Sequence, residues 1–157
     1  MILGLDISSS VVGYTLLDDN KKLIKIGYIN ISKMDNLLDK AKIIKLLFKD
    51  IFNSYNISSI YVEDISKKFR PGFSSAQTIT TLAKFNGIIQ YICYEMFNLI
   101  PNAITAASAR KLAYNRKCQK GLDIKKEVFD EVIKLEKELK NVWLLNKKSK
   151  IKPEAFD

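Results

Sequence analysis

The sequence predicts an α/β protein, a mixed five-stranded sheet flanked by helices, and three observations predict it. Short apolar runs over 2–6, 11–17 and 23–31 are separated by turn-forming residues, as three antiparallel strands are. The apolar spacing then changes to the three-and-four repeat of an amphipathic helix. From there short apolar runs alternate with helical stretches, which lays further strands parallel to the first with helices on the sheet.

Each element has its own signal. Ser8-Ser9-Ser10 and Asp18-Asp19-Asn20 punctuate the first three strands, and the second of these reads as a hairpin turn. Leu37, Leu38, Ala41, Ile44, Leu47, Phe48 and Ile51 define a helix to about residue 53, with Asp35 as its expected cap. The fourth strand, 57–62, ends in Glu63-Asp64. After a polar, basic loop, Ser74 or Ser75 caps a long helix to about residue 98, carried by Ile79, Leu82, Phe85, Ile88, Ile89 and Ile92. Gly87 is expected to let that helix pack closely against a neighbour. Pro101 ends the segment; a short strand over 103–106, a short helix over 107–113 and a helix over about 123–139 follow. The stretch 146–152 is polar and basic, and Pro153 is placed to begin a helix.

At 157 residues the chain is expected to form one domain with a real core. Its apolar stretches are short and interrupted, so no membrane span is expected, and Met1 to Asp6 lacks the basic lead-in of a signal peptide. A cytoplasmic protein without a targeting signal is the expectation. Lys and Arg number 26 against 17 Asp and Glu, a formal charge of +9. That surplus favours a polyanionic partner, although the lysine-rich surface of an AT-rich genome gives the same count. Cys93 lies in an apolar helical run and reads as core; Cys118 is far from it, and no CxxC pattern points to zinc or redox chemistry. The chain has no histidine, which excludes Ser-His-Asp and Cys-His catalysis and histidine-held metals.

Carboxylates, lysines or hydroxyls therefore carry the chemistry if this is an enzyme. Asp6 closes the first strand and Glu63 the fourth. An acid after an apolar strand is common in loops, so it is the pair that informs. If the two strands are parallel neighbours, both acids emerge side by side beyond the strand ends, where open sheets build their sites. Two adjacent carboxylates repel unless something neutralises them, and a hard, oxygen-seeking divalent cation such as magnesium does so. A pair of such ions activates water and stabilises the leaving oxygen of a phosphodiester without any histidine.

The stretch from Gly4-Leu5-Asp6 through Ser8-Ser9-Ser10 to Gly13-Tyr14 resembles the opening motif of RuvC-type Holliday junction resolvases, members of the RNase H-like superfamily. Tyr61-Val62-Glu63 resembles their second motif. Ser74-Ser75-Ala76-Gln77-Thr78 through Phe85-Asn86-Gly87 resembles the helix after it, and Ala106 to Lys111 the stretch after the fifth strand. The likeness is greatest to small phage-type members and covers essentially the whole chain. Those enzymes carry two further acids, spaced Asp-x-x-Asp, on their last helix. Pro153-Glu154-Ala155-Phe156-Asp157 resembles the approach to that pair, with Asp157 as its first acid and no counterpart for the second. The last helix is thus expected to be cut short, and Glu154, at the same spacing from Asp157, is a substitute ligand.

The resemblance implies a structure-selective endodeoxyribonuclease that resolves Holliday junctions or other branched DNA in a bacterial cell or phage-infected host. Asp6, Glu63 and Asp157 would be catalytic and, with Glu154, would hold Mg2+, as a pair of ions, with Mn2+ as substitute; the product would carry a 5′-phosphate. Lys67, Lys68 and Arg70, then Arg110 and Lys111, then Arg116, Lys117, Lys120, Lys125 and Lys126 are candidate phosphate contacts, although a single lysine is more often a solvated surface charge. Phe69 and Phe73 bracket Arg70-Pro71-Gly72 and are candidates to stack on unpaired bases, Phe69 as the exposed one. A two-fold symmetric junction implies a homodimer, and the long helix has apolar residues on more than one face. Three other readings compete: a related nuclease acting on RNA or RNA–DNA hybrid, a non-catalytic branched-DNA-binding module, and, last because one domain leaves no room for the usual second, a sugar-kinase or actin-like ATPase.

Overall fold

A computed structural model describes residues 1–65, 75–114, 130–134, 143–145 and 151–153. The chain forms two compact units, Met1–Thr105 and Ala106–Asp157.

In the first unit, β1 (Ile2–Ile7), β2 (Val11–Leu17) and β3 (Leu23–Asn30) form an antiparallel meander. α1 (Leu37–Ser54), β4 (Ser59–Glu63), α2 (Ala76–Phe97) and β5 (Asn102–Ile104) follow. β4 lies parallel to β1 and β5 parallel to β4, so the sheet order is β3-β2-β1-β4-β5. This is the mixed five-stranded sheet expected.

The turns are fixed by short polar side chains. The Ser8 hydroxyl donates to the Val11 carbonyl at 2.7 Å and accepts from the Val11 N–H at 3.0 Å, which closes the β1–β2 turn. In the β2–β3 turn the Asp18 carboxylate accepts from the Lys22 N–H at 2.8 Å, and Lys21 takes a left-handed conformation, φ 66°. The α1 cap is Asn36, which accepts from the Leu38 N–H at 2.7 Å, and not Asp35; helical geometry begins one residue later than expected, and Asn caps as well as Asp. Ser75 caps α2, and Asn98 ends it in the left-handed region that Asn tolerates.

Alternation sends Leu3, Leu5 and Ile7 of β1 and Ile60 and Val62 of β4 to one face of the sheet. Ile44, Phe48 and Ile51 of α1 and Phe85, Ile89 and Cys93 of α2 join them in one buried cluster. Phe48 meets Phe97 edge to face, with ring centroids 6.0 Å apart. Cys93 is core as expected, and burial pushes its thiol up to about 12. Gly87 differs from expectation. It lies on the exposed side of α2, and a side chain added there would meet nothing within 4 Å.

In the second unit, α3 (Ala106–Tyr114) covers the short helix expected over 107–113 and one residue more at each end, and a helical segment over 130–134 falls within the helix expected over about 123–139. β6 (Trp143–Leu145) and β7 (Ile151–Pro153) form an antiparallel hairpin that the sequence pattern does not announce. Pro153 pairs with Trp143 at the end of a strand, instead of starting a helix at that position. Among the described residues no helix is long and apolar enough to cross a membrane.

Candidate active site

The parallel register of β1 and β4 positions the acids. Leu3 lies beside Ile60, and Leu5 beside Val62. One residue on, Asp6 and Glu63 are neighbours on the opposite face, both exposed, at the carboxyl ends of two adjacent strands. The β1–β4 ladder ends at Leu5 and Val62, where neighbouring strands lie about 4.8 Å apart, and each acid is the next residue of its strand. Buried Leu5 and Val62 fix the facing of the acids, because slipping either strand by one residue would send its apolar set to water.

Space is left around Asp6. Its partner across β2 is Gly13, and a Cβ placed on Gly13 would stand 3.7 Å from the Asp6 Cβ. Tyr28 of β3 faces Gly13 from the far side, and Tyr61 pairs with Gly4 one row below the acids. Both tyrosines are exposed by about two-fifths. The row therefore offers two carboxylates beside a residue with no side chain, flanked by aromatic rings. Such a donor set is all oxygen and anionic, which fits a hard divalent cation. Asp64, next to Glu63, is half-buried, and its N–H donates to the Ile104 carbonyl at 2.8 Å, which extends the β4–β5 ladder.

No family model matches the sequence, and no curated protein matches it. Solved structures do. Thermus thermophilus RuvC in complex with a Holliday junction substrate superposes with a TM-score of 0.63 at 14% identity, over 85% of this chain and 76% of that one. A further Thermus thermophilus RuvC structure gives 0.60 at 13%, over 85% and 78%. The chain has the RuvC fold. At these identities the fold is what the two proteins share.

The other residues expected of a RuvC-type site divide sharply. Lys111 is exposed on α3, and Arg110 lies on α3 with its side chain outside the described part. Lys67, Lys68, Phe69, Arg70, Phe73, Arg116, Lys117, Lys120, Lys125, Lys126, Glu154 and Asp157 all lie outside the described residues. Among the described residues no group of three or more acids or cysteines gathers.

Two residues that sequence reasoning missed stand behind this pair. Lys40 and Asn86 are the buried polar side chains among the described residues. The Lys40 ammonium donates to the Ser9 carbonyl at 2.6 Å. The Asn86 amide donates to the Glu63 carbonyl at 3.2 Å and accepts from the Gln90 amide. A signal for both was present. Lys40 falls in helical step with Ile44, Phe48 and Ile51, and Asn86 falls between Phe85 and Ile89, so each is a polar residue inside an apolar stripe.

Proposed function

We propose that this chain is a divalent-metal-dependent endonuclease that cuts branched DNA, with the four-way junction as its substrate. One observation carries the reading: Asp6 and Glu63 stand side by side at parallel strand ends, on the face of a RuvC-type sheet turned away from its core. Asp6 and Glu63 would hold the cation, with Asp157 and Glu154 completing the cage. When bound, Mg2+ or Mn2+ supplies an activated water and neutralises charge at the phosphorus. The chain's own part is to fix two carboxylates in register and to keep the Gly13 position clear for a phosphodiester.

Arg110, Lys111 and the basic residues of 67–70 and 116–126 would grip phosphates, which positions DNA without reading its sequence. The formal charge of +9 supports that role. Phe69 and Phe73 would stack on bases at the branch point. We read residues 1–157 as one nuclease domain acting on DNA in the cytoplasm. A homodimer would place two such sites on one two-fold junction, and the outer side of α2, where Ala83, Gly87, Tyr91 and Tyr94 are exposed, suits it.

The test is cleavage of synthetic four-way junctions, matched linear duplexes and RNA–DNA hybrids across a Mg2+ and Mn2+ titration. Junction-selective, metal-dependent cutting supports the proposal. Preferential cutting of the hybrid would move the substrate to RNA, and junction binding without cutting at any metal concentration would make the chain a binding module.

A further inference from the structure

Burying a charged ammonium or an amide is costly unless each is well partnered, so a core spends such groups where a main-chain atom must be held. Among the described residues this core contains two, Lys40 at 7% exposure and Asn86 at 4%. They come from different helices, Lys40 from α1 and Asn86 from α2. Each donates to a main-chain carbonyl close to one of the acids, one in the turn after β1 and the other at the end of β4. Ser9 lies three residues beyond Asp6, in the turn that sets the Asp6–Gly13 pairing. The second acceptor is the carbonyl of Glu63 itself.

We propose that Lys40 and Asn86 are positioning residues of the nuclease site, one brace for each acid. This rests on the reading of Asp6 and Glu63 as metal ligands. Holding the Glu63 carbonyl fixes the peptide plane that leaves Glu63, and with it the direction of that residue's Cα–Cβ bond. Gln90 donates to the Asn86 side-chain oxygen, which aims the amide nitrogen at Glu63. Holding the Ser9 carbonyl pins the turn after β1, so Asp6 cannot swing as the hairpin flexes. A carboxylate pair has to be set before the cation arrives, because each ligand that must be ordered on binding weakens the site.

The test compares the full wild-type chain with Lys40→Met, Lys40→Arg, Asn86→Leu and Gln90→Leu. Mn2+ binding is followed by electron paramagnetic resonance of free Mn2+, folding by thermal melting, and junction affinity in Ca2+. Lys40→Met and Asn86→Leu are expected to weaken Mn2+ binding by about tenfold or more, the usual effect of removing a group that orients a metal ligand. Gln90→Leu should do so by a smaller factor, and Lys40→Arg should restore wild-type binding; junction affinity in Ca2+ should hold throughout. Lower melting temperatures with an unchanged Mn2+ midpoint would mean ordinary core polar groups and would overturn the proposal. Should Asn86→Leu not fold, Gln90→Leu and the Lys40 pair decide in its place. If the wild-type chain shows no Mn2+ binding that Asp6→Asn removes, the metal reading itself fails; if it does, and the braced variants bind equally well, only the bracing fails.

Discussion

Two glycines on neighbouring strands should answer the same substitution with opposite signs. Gly13 of β2 faces the acids, and an added Cβ would sit 3.7 Å from the Asp6 Cβ, ordinary van der Waals contact. Gly13→Ala therefore costs no strain and removes the entropic penalty of a glycine in a strand, a gain of about 0.5–1 kcal/mol. Gly27 of β3 is covered by the ring of Tyr14, its cross-strand partner on the core side. A Cβ there would stand 2.6, 2.7 and 2.8 Å from the Tyr14 Oη, Cζ and Cε1 atoms. Carbon contacts need about 3.5–4.0 Å, so the ring must yield by about 1 Å and lose its packing. Overpacking of that kind costs about 1–3 kcal/mol, which leaves Gly27→Ala about 0–2.5 kcal/mol less stable after the glycine gain. Urea unfolding with a constant m-value reads both. In a Tyr14→Leu background, which removes the obstructing ring end, Gly27→Ala should turn neutral or stabilising. Gly13→Ala carries a second readout: its methyl stands beside Asp6, so junction cutting should fall at least about tenfold, a loss of about 1.4 kcal/mol in transition-state stabilisation, while the fold gains stability. Gly27→Ala more stable than wild type would refute the packing argument. A Gly13→Ala chain that cuts at the wild-type rate would show that the clear space beside Asp6 has no use.

The remaining predictions rest on single groups. Asp6→Asn and Glu63→Gln should each abolish junction cutting, seen on a denaturing gel, while leaving junction binding intact or stronger; retained cutting removes that residue from the site. Arg110→Ala should weaken junction binding and lower the slope of log affinity against log salt by about 1, and an unchanged slope would count against a phosphate contact. Phe48→Ala, at a fully buried position in edge contact with Phe97, should cost about 3–5 kcal/mol in urea unfolding. The Cys93 thiol is raised from 9.0 to about 12 in the folded chain, so above pH 9 the unfolded chain releases a proton that the folded one keeps. Stability should fall by about 1.4 kcal/mol per pH unit across that window, in excess of a Cys93→Ala reference; parallel curves for the two would refute it.

What the sequence made legible, and what it did not, follows from where information sits in a chain. Strand alternation through Leu3, Leu5 and Ile60, Val62 is written in side chains, so the strands and their facing could be expected from residue order alone, whereas the adjacency of Asp6 and Glu63 needed β1 and β4 to be parallel neighbours. The choice between Asp35 and Asn36 as a cap could not, because two adjacent residues of equal capping power differ only in which one the backbone leaves extended. The β6–β7 hairpin went unread because three-residue strands are too short to show a period, and the lysines between them look like a solvated run. Gly87 reads as a packing glycine from its place among apolar residues, but one step of 100° from Asn86 carries it to the outer side of α2.

Lys40 and Asn86 show the deeper reason. Their positions inside apolar stripes were visible, but their partners are carbonyls of Ser9 and Glu63, and a main-chain carbonyl is the same at every residue. No residue type marks the acceptor, so the bonds emerge only once helix and strand are placed together. The acids of a site are chosen by side-chain chemistry and can be read from the sequence. The groups that hold those acids still act on the backbone, and a polar residue that breaks an apolar stripe is the trace they leave.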